Sequence, residues 1–323
     1  GAMRSVGFVF LLFPVALVPT NCSNSWGKFW EVPPEDPLAK CRSAVSGDSI
    51  SMICVPANTT GFSRGNASVP AGGTPIHTVA SITGFAMGKF EVIFSEWSAI
   101  RTWALSNGYT IPNAGTQGGG TGAKTDQHPA TSMDWRDMIV WCNAASEKAG
   151  LTPVYYTDAA FTSPLRVSGG AVNTTPGAQD NPYVRWAANG YRLATGAEWE
   201  YAARSPVEKV YAGSDTVDGV AWHSGNAGSK THAVRTRAPN GRGLFDLSGN
   251  VWEWVWDWYQ VNYEASPVTD PSGPSAQPAS DDRVVRGGSW DYAAPLARVA
   301  QRNENSASGG LYSLGIRIVR SNP

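Results

Sequence analysis

Cysteine and histidine side chains are the groups in this chain best suited to bind a transition metal or to attack a substrate. They are Cys22, Cys41, Cys54, Cys142, His77, His128, His223 and His232. No two cysteines have the C-x-x-C spacing of a metal site, and the histidines are scattered along the chain. The sequence also lacks a Walker loop, a G-x-S-x-G turn and an evident carboxylate pair. It therefore does not favour catalysis, and we expect no catalytic cofactor.

Asn250 and Glu253 are candidates for a different kind of site. Gly249 permits a tight turn before Asn250, so both side chains could present oxygen atoms near exposed backbone carbonyls. Oxygen ligands suit a hard cation such as calcium. We predict Asn250, Val251 and Glu253 as candidate calcium ligands. The alternative, that the two side chains only bond local backbone groups, remains open.

These residues adjoin a run in which tryptophan occupies every second position. Trp252, Trp254, Trp256 and Trp258 alternate with other residues, and a period of two predicts a strand with all four indoles on one side. Further strands are predicted at 50–56, 85–92, 154–156, 283–289 and 314–320. Helices are predicted from Ser95 to Leu105, from Met133 to Lys148 after a Ser132 cap, and from Glu198 to Arg204 after a Thr195 cap.

Composition points to a globular, loop-rich fold. The 323 residues include 35 Gly, 22 Pro and 14 Trp, which indicates many turns and a core built on indoles. The formal net charge is −1, with 25 basic and 26 acidic residues, so the chain offers no long-range attraction for a nucleic acid. We expect a monomer with one compact domain over residues 46–323.

The first 45 residues read as targeting and tether segments. Residues 1–3 look like a cloning scar, and Arg4 precedes an apolar run from Val6 to Val18. Residues 4–22 resemble a lipoprotein signal in which Cys22 is lipidated, although a buried N-terminal strand is the alternative. This predicts a lipid anchor on the outer surface of the cell envelope, followed by a tether at 23–45. Of the other cysteines, Cys41 and Cys54 could pair, and Cys142 is predicted to be a buried core residue.

Several motifs, in order, resemble the formylglycine-generating-enzyme family, also called the sulfatase-modifying-factor domain. They are GYRLATGAEWEYAAR at 190–204, GLFDLSGNVWEW at 243–254, RGGSW at 286–290 and GIR at 315–317. The resemblance implies an α+β, C-type-lectin-like fold with a small antiparallel sheet, two main helices and extensive irregular loops. It also implies calcium near Asn250 and a second family site, matched here by Asn226. Arg298, Arg302 and Arg317 are expected to bond the C-terminal loops.

The enzymes of that family use a pair of copper-binding cysteines after the Arg-Gly-Gly-Ser motif. Residues 291–314 contain no cysteine here, so a copper site of that kind cannot assemble from them. A second enzymatic branch holds iron with histidines from an added helical domain, for which this chain has no room. We therefore predict that the chain is not an enzyme. The alternatives are a metal-dependent oxidoreductase with other ligands and an envelope accessory protein with fixed contacts.

Residues 291–313 suggest a binding role instead. Positions 291–294 and 305–313 hold only residue types that a codon ending in a pyrimidine can encode, as expected if the adenines of Asn codons were randomised. This arrangement resembles the variable proteins of diversity-generating retroelements, such as those of Treponema. The resemblance implies that the protein binds a protein or glycan ligand on another cell surface, and that different copies of the protein bind different ligands. An ordinary polar surface loop is the alternative. The predicted ligand-binding residues are Asp291, Tyr292, Ala293, Ala294, Leu296, Ala297, Asn303, Asn305, Ser306, Ala307, Ser308, Gly309, Leu311, Tyr312 and Ser313.

Overall fold

The computed structural model describes residues 36–66, 76–204, 206–263, 267–274, 277–278 and 280–321. The helices in these ranges are α1 (Ala39–Val45), α2 (Phe94–Leu105), α3 (Trp135–Lys148), α4 (Gly196–Arg204) and a 3-10 helix (Ala294–Ala297). The strands are β1 (Met52–Val55), β2 (Phe62–Arg64), β3 (His77–Ser81), β4 (Phe85–Gly88), β5 (Thr116–Gln117), β6 (Ala130–Thr131), β7 (Tyr155–Tyr156), β8 (Tyr183–Val184), β9 (Tyr191–Leu193), β10 (Trp252–Trp258), β11 (Val268–Thr269), β12 (Asp282–Arg286), β13 (Arg302–Ser306), β14 (Leu314–Ile316) and β15 (Ile318–Ser321). The predicted mixture of helices, short strands and long irregular segments is confirmed.

The described strands form two four-stranded sheets, one three-stranded sheet and two two-stranded sheets. The first has the order β1-β4-β15-β9 and is antiparallel throughout, and the second has the order β13-β12-β10-β14. In the second sheet β10 pairs antiparallel with β12 but parallel with β14. The two longest helices, α2 and α3, pack against each other, as expected for a fold with two main helices.

The segment 314–320, predicted as one closing strand, is divided between these sheets. Residues before Arg317 form β14 in the second sheet, and those after it form β15 in the first. Arg317 itself is buried between them. Its guanidinium donates to the Glu253 carboxylate at 2.7 Å. This segment therefore joins the two sheets.

The tryptophan strand, β10, is confirmed with the predicted alternation for its first three indoles. Trp252, Trp254 and Trp256 belong to the same core cluster as α3, whereas Val255 packs into a second cluster that includes α4. The register shifts before Trp258. All seven residues of β10 are buried, so this strand lies between two parts of the core.

Two helix caps differ from the prediction. Helix α2 starts after Ile93 rather than Ser95, and α3 is capped by Asp134 rather than Ser132. The Asp134 carboxylate accepts a hydrogen bond from the amide of Asp137 at 2.9 Å. Ser132 has a left-handed backbone, with φ of 66°, and lies outside the helix. Aspartate is as strong an N-cap as serine, so residue type alone could not choose between them.

The cap of α4 is confirmed. The hydroxyl of Thr195 accepts from the amide of Glu198 at 3.1 Å, and the Glu198 carboxylate accepts from the amide of Thr195 at 2.8 Å. These reciprocal bonds form a capping box. The helix itself begins at Gly196, two residues earlier than predicted.

The folded body begins earlier than residue 46. Helix α1 lies inside the segment predicted as a tether, and a disulfide joins its Cys41 to Cys54 in β1. The prediction that Cys142 is a buried core residue is confirmed, and burial raises the pKa of its thiol well above the usual value. Cys22 and the remaining signal and tether residues up to 35 lie outside the described residues. In the described ranges no helix has the length and apolar character needed to cross a membrane.

Candidate functional site

We call residues 291–313 the display segment. It includes the edge strand β13 and links β12 to β14, which belong to the same four-stranded sheet. After β12 the chain forms the 3-10 helix, returns as β13 along the edge of the sheet, and turns into β14. Strand β13 pairs antiparallel with β12 from Arg302 to Ser306. The display segment therefore begins and ends at strands of the same sheet.

Arg286, the arginine of the Arg-Gly-Gly-Ser motif, holds the middle of the display segment by its main chain. Its guanidinium is buried and donates to the carbonyl oxygens of Gln301 at 2.5 Å and Val299 at 3.2 Å. It also donates to the Glu200 carboxylate at 2.5 Å. Burial alone would raise the pKa of Glu200, but Arg286 and Arg204 outweigh it and hold that pKa below the usual value. The ion pair therefore stays charged and anchors the loop.

Other framework groups bond the main chain of the display segment at further points. The Ser248 hydroxyl donates to the carbonyl of Ala297 at 2.8 Å. Further main-chain anchors are backbone amides that donate to display-segment carbonyls: Ser224 to Tyr292 at 2.9 Å, Trp135 to Ala307 at 3.1 Å, Ser132 to Leu311 at 3.0 Å and Trp252 to Ser313 at 2.8 Å. None of these contacts uses a display-segment side chain. The path of the segment therefore does not depend on the identity of its side chains at those points.

The structure exposes most of the predicted ligand-binding residues but buries three of them. The exposed or partly exposed residues are Asp291, Tyr292, Ala293, Ala294, Leu296, Asn303, Asn305, Ser306, Ser308, Gly309, Leu311 and Tyr312. Ala297, Ala307 and Ser313 are at most 3% exposed and have almost no surface to offer a ligand. Their burial argues against a place for these three side chains in the binding surface.

Two tyrosines of the display segment rest on fixed tryptophans. Tyr312 is 54% exposed, and its ring centroid lies 5.8 Å from that of Trp290. Tyr292 meets Trp252 edge to face at 5.7 Å. Leu311, beside Tyr312, is also exposed. The surface thus presents large amphipathic rings whose positions are set by the core beneath them.

A glycine-rich loop next to the display segment was missed by the sequence reasoning. A Cβ atom at Gly119 would lie 2.0 Å from the carbonyl oxygen of Tyr312, so only glycine lets the two loops touch. Nearby, Trp222 stacks on His232 at 3.6 Å, with the guanidinium of Arg237 3.6 Å from the Trp222 ring centroid. The run of glycines at 118–120 was a usable signal, because close backbone approach is one of the few roles only glycine fills.

The side-chain oxygens of Asn250 and Glu253, two of the predicted calcium ligands, already accept hydrogen bonds from neighbouring groups. Both oxygens of Glu253 accept from the guanidinium of Arg317, at 2.7 to 3.0 Å, and one also accepts from the Trp199 indole at 2.6 Å. The side-chain oxygen of Asn250 accepts from the amide of His232 at 3.0 Å, and Val251 is fully buried in an apolar cluster. Arg317 thus supplies the positive charge that was expected from calcium. The geometry favours the alternative, in which these side chains bond neighbouring groups.

Two more buried carboxylates lie near that ion pair. Burial and the neighbouring charge of Asp246 raise the pKa of Glu91 well above its usual value, although Arg317 opposes this. Burial likewise raises the pKa of Asp246 to about 6, with the amide of Arg235 donating to its carboxylate. Asn250 donates to Glu91 at 3.2 Å. The cluster is a network inside the framework rather than a surface site.

The remaining polar candidates are also structural. The side-chain oxygen of Asn226 accepts from the amide of His223 at 2.9 Å, which caps a local turn. His128 bonds the hydroxyl of Thr231 at 3.0 Å, and burial lowers its pKa to about 4. Arg302 donates to the carbonyls of residues 260 and 261, as expected for an arginine that fixes a loop. In the described ranges no group of three or more His, Cys, Asp or Glu side chains is placed to hold a metal ion.

Comparison with known proteins agrees with this architecture. A family model described as the sulfatase-modifying factor enzyme 1-like domain matches residues 42–322. The chaperone protein LppX of Paenibacillus barcinonensis is 30% identical over 267 residues, which cover 75% of this chain and 81% of LppX. The formylglycine-generating enzyme of Streptomyces coelicolor is 40% identical over 154 residues, but these are only 42% of this chain and 48% of the enzyme.

Solved structures show the same likeness. Treponema denticola variable protein 1 superposes with a TM-score of 0.69 and 28% identity, covering 84% of this chain and 95% of that protein. CarF superposes with a TM-score of 0.65 and 25% identity, covering 84% of this chain and 98% of CarF. The family match begins within α1 and extends past the end of β15. The chain therefore belongs to the formylglycine-generating-enzyme family, whose shared unit is the sulfatase-modifying factor enzyme 1-like domain.

Proposed function

We propose that this protein is a surface-displayed, ligand-binding protein whose display segment varies between copies. The observation that carries the proposal is the anchoring of the segment through its main chain. Arg286 and the Ser248 hydroxyl hold carbonyl groups of buried residues, and exposed or partly exposed side chains lie on either side of these anchors. A loop of this kind keeps its shape while its surface chemistry varies, which is the physical requirement for diversified recognition.

The comparisons with known proteins also support a binding role. The structural likeness to Treponema denticola variable protein 1 extends over nearly all of that protein, whereas the match to the Streptomyces enzyme covers less than half of the enzyme. Residues 291–314 contain no cysteine, and the single free cysteine in the described ranges, Cys142, is buried. We propose on these grounds that the protein binds rather than catalyses.

The exposed chemistry of the display segment suits a protein or glycan ligand on another cell. Tyr292 and Tyr312 offer rigid amphipathic rings, and the Ser, Asn and Gly residues around them offer adaptable hydrogen bonds. Lipidation at Cys22 would hold the domain on the outer surface of the cell envelope, as a monomer. The ligand would differ from copy to copy, with no nucleic acid and no catalytic cofactor involved.

A matched pair of libraries tests the proposal. One library randomises five exposed or partly exposed positions of the display segment, and the other randomises five buried positions in the display segment and in β12. The first set is Ala293, Asn303, Ser308, Leu311 and Tyr312, and the buried set is Ala297, Ala307, Ser313, Val284 and Val285. Most members of the exposed library should fold with thermal midpoints near that of the parent, and selection on a panel of proteins should yield distinct binders. The buried library should mostly fail to fold.

Two outcomes would contradict the proposal. One is an exposed library that folds as poorly as the buried one. The other is a genome with no nearby imperfect repeat of the coding segment for 291–313 that carries adenines at the variable positions. Sister copies that differ within 291–313 but not at 283–290 or 314–320 would support it.

A further inference from the structure

A second concave surface lies outside the display segment. It is a groove of about 500 Å³, within the usual range for small-ligand sites. Its lining comes from the start of α4, the end of β15 and the turns at 83–84, 186–187 and 270–272. All the residues that line it lie outside 291–313. Any ligand bound there would therefore contact positions that do not vary under the proposed function.

An exposed indole forms one wall of this groove. Trp186 is 39% exposed, although tryptophan is usually well buried in folded proteins. Its ring is held edge to face against Trp256 at 5.8 Å, and the hydroxyl of Ser321 donates to its carbonyl oxygen at 2.9 Å. These contacts fix the ring while leaving part of it open. A fixed, exposed aromatic face is a suitable platform for an apolar ligand surface.

Oriented polar groups face the same groove. The Asp270 carboxylate accepts from the amide of Thr83 at 2.6 Å and from its hydroxyl at 2.7 Å. Glu198 and Arg192 form a two-point ion pair with both distances at 2.7 Å. Oε2 of Glu198 also accepts from the amide of Thr195, so both of its lone pairs are used. Each carboxylate oxygen has two lone pairs, so Oε1 of Glu198 and the oxygens of Asp270 can each accept a further hydrogen bond from a ligand. The groove thus combines an aromatic platform with several preoriented acceptors.

We infer that this groove binds the ring of a neutral pyranose sugar. The C–H face of such a ring can stack on Trp186 while its hydroxyls donate to Asp270 and to the remaining lone pair of Oε1 of Glu198. The two carboxylates and one guanidinium give the groove a net charge of −1, which disfavours acidic sugars. Arg192 already lies 5.4 Å from the Trp186 ring centroid, so a cationic ligand on that ring would meet a like charge.

Titration with methyl pyranosides of glucose, galactose and N-acetylglucosamine, followed by calorimetry and saturation-transfer NMR, tests this inference. At least one of them should bind with millimolar affinity, and glucuronic acid should bind more weakly. Trp186→Ala should weaken binding by roughly tenfold or more, and Trp186→Phe, which keeps an aromatic face, by less than about threefold. Ser272→Tyr should block the groove without touching the core, so it separates loss of the site from loss of the fold.

Tyr312→Ala, which alters an exposed ring of the display segment, is the matched control and should leave pyranoside binding unchanged. The inference fails if no neutral pyranoside binds, or if binding survives both Trp186→Ala and Ser272→Tyr in variants that keep the parent's thermal midpoint. It also fails if tetramethylammonium binds more tightly than the sugars in a salt-dependent way. The proposed function of the display segment is tested on other residues, so the two can fail separately.

Discussion

The display segment and the tryptophan strand contribute to the same sheet but differ in how much of their side chains is buried. In β10 every side chain is buried, and the indoles pack against α3. In β13, at the edge of that sheet, Asn303 and Glu304 are at least partly exposed, while the backbone pairs with β12 and the buried Arg302 side chain bonds the carbonyls of residues 260 and 261. The comparison shows that one sheet can hold both a strand with all side chains buried and an edge strand that exposes some of its side chains to a ligand.

The largest effect should come from removing the arginine that joins these two regions. Arg286→Met leaves the buried Glu200 carboxylate without one of its partners and releases the carbonyls of Val299 and Gln301. We expect the free energy of unfolding to fall by about 3–5 kcal/mol, the usual cost of breaking a buried ion pair from one side. Chemical denaturation measures this. Arg185→Met, on an exposed arginine, is the matched control, with an expected change within about 0.5 kcal/mol.

If Arg286→Met lowers the free energy of unfolding by less than about 1 kcal/mol, Arg286 is not a main anchor of the display segment. Such a result would mean that the display segment keeps its path without this anchor. The Glu200 ion pair would then matter only to the core beneath.

The second prediction compares side chains directly. Trp254→Ala, in the middle of β10, should cost about 3–5 kcal/mol because it leaves a large cavity in a packed core. Replacing Asn303, Ser308 and Leu311 together should change the free energy of unfolding by less than about 1 kcal/mol, since these are exposed or partly exposed. Thermal and urea unfolding of both variants checks the contrast. A collapse of the triple variant would show that the display segment is part of the core.

The third prediction compares alanine substitutions at two glycines, one where the backbone is tightly packed and one where it is not. Gly288 has φ of 75°, and a Cβ there would lie 2.8 Å from the Cα of Ala297, so Gly288→Ala should destabilise the protein by about 1–3 kcal/mol. At Gly309 the nearest obstacle is the flexible end of the Asn305 side chain at 2.7 Å, and φ is not positive. Gly309→Ala should therefore cost less than about 0.5 kcal/mol. Urea unfolding measures the free energy of unfolding of both variants. Equal decreases would contradict the prediction that the backbone is packed more tightly at Gly288 than at Gly309.

Much of this architecture was predictable from local patterns. The alternation of tryptophan marks β10, and the Thr195 cap and the long motifs identify α4 and the fold family. Those signals come from residues close together in sequence, where periodicity and capping chemistry act directly.

Other features depend on contacts between distant residues. Arg317 and Glu253 are 64 positions apart, and nothing local shows that the carboxylate is neutralised by a guanidinium rather than by calcium. The burial of Ala297, Ala307 and Ser313 follows from where the display segment meets the framework, not from their residue types. The groove beside Trp186 combines residues from 83 to 321, so it becomes visible only in three dimensions.

The smallest predicted effect is a pH dependence that originates in the framework. Burial raises the pKa of Asp246 to about 6 and that of Glu96 to about 7, so the folded state binds more protons than the unfolded chain between about pH 4 and pH 7. Stability contributed by these groups is full below their unfolded pKa values and is lost as the pH rises through the folded ones. Urea unfolding should therefore show a decline of about 1–2 kcal/mol from pH 5 to pH 8.

Asp246→Asn should reduce this slope, because an amide can still accept from the amide of Arg235 but does not ionise, while the contribution of Glu96 remains. The stability of the variant relative to the parent should therefore rise from pH 5 to pH 8. A parent whose stability rises steadily from pH 5 to pH 8 would exclude this cause. The pH response would then come from paired carboxylates such as Glu200, whose lowered pKa gives the opposite sign, since its stabilising effect is lost as the pH falls.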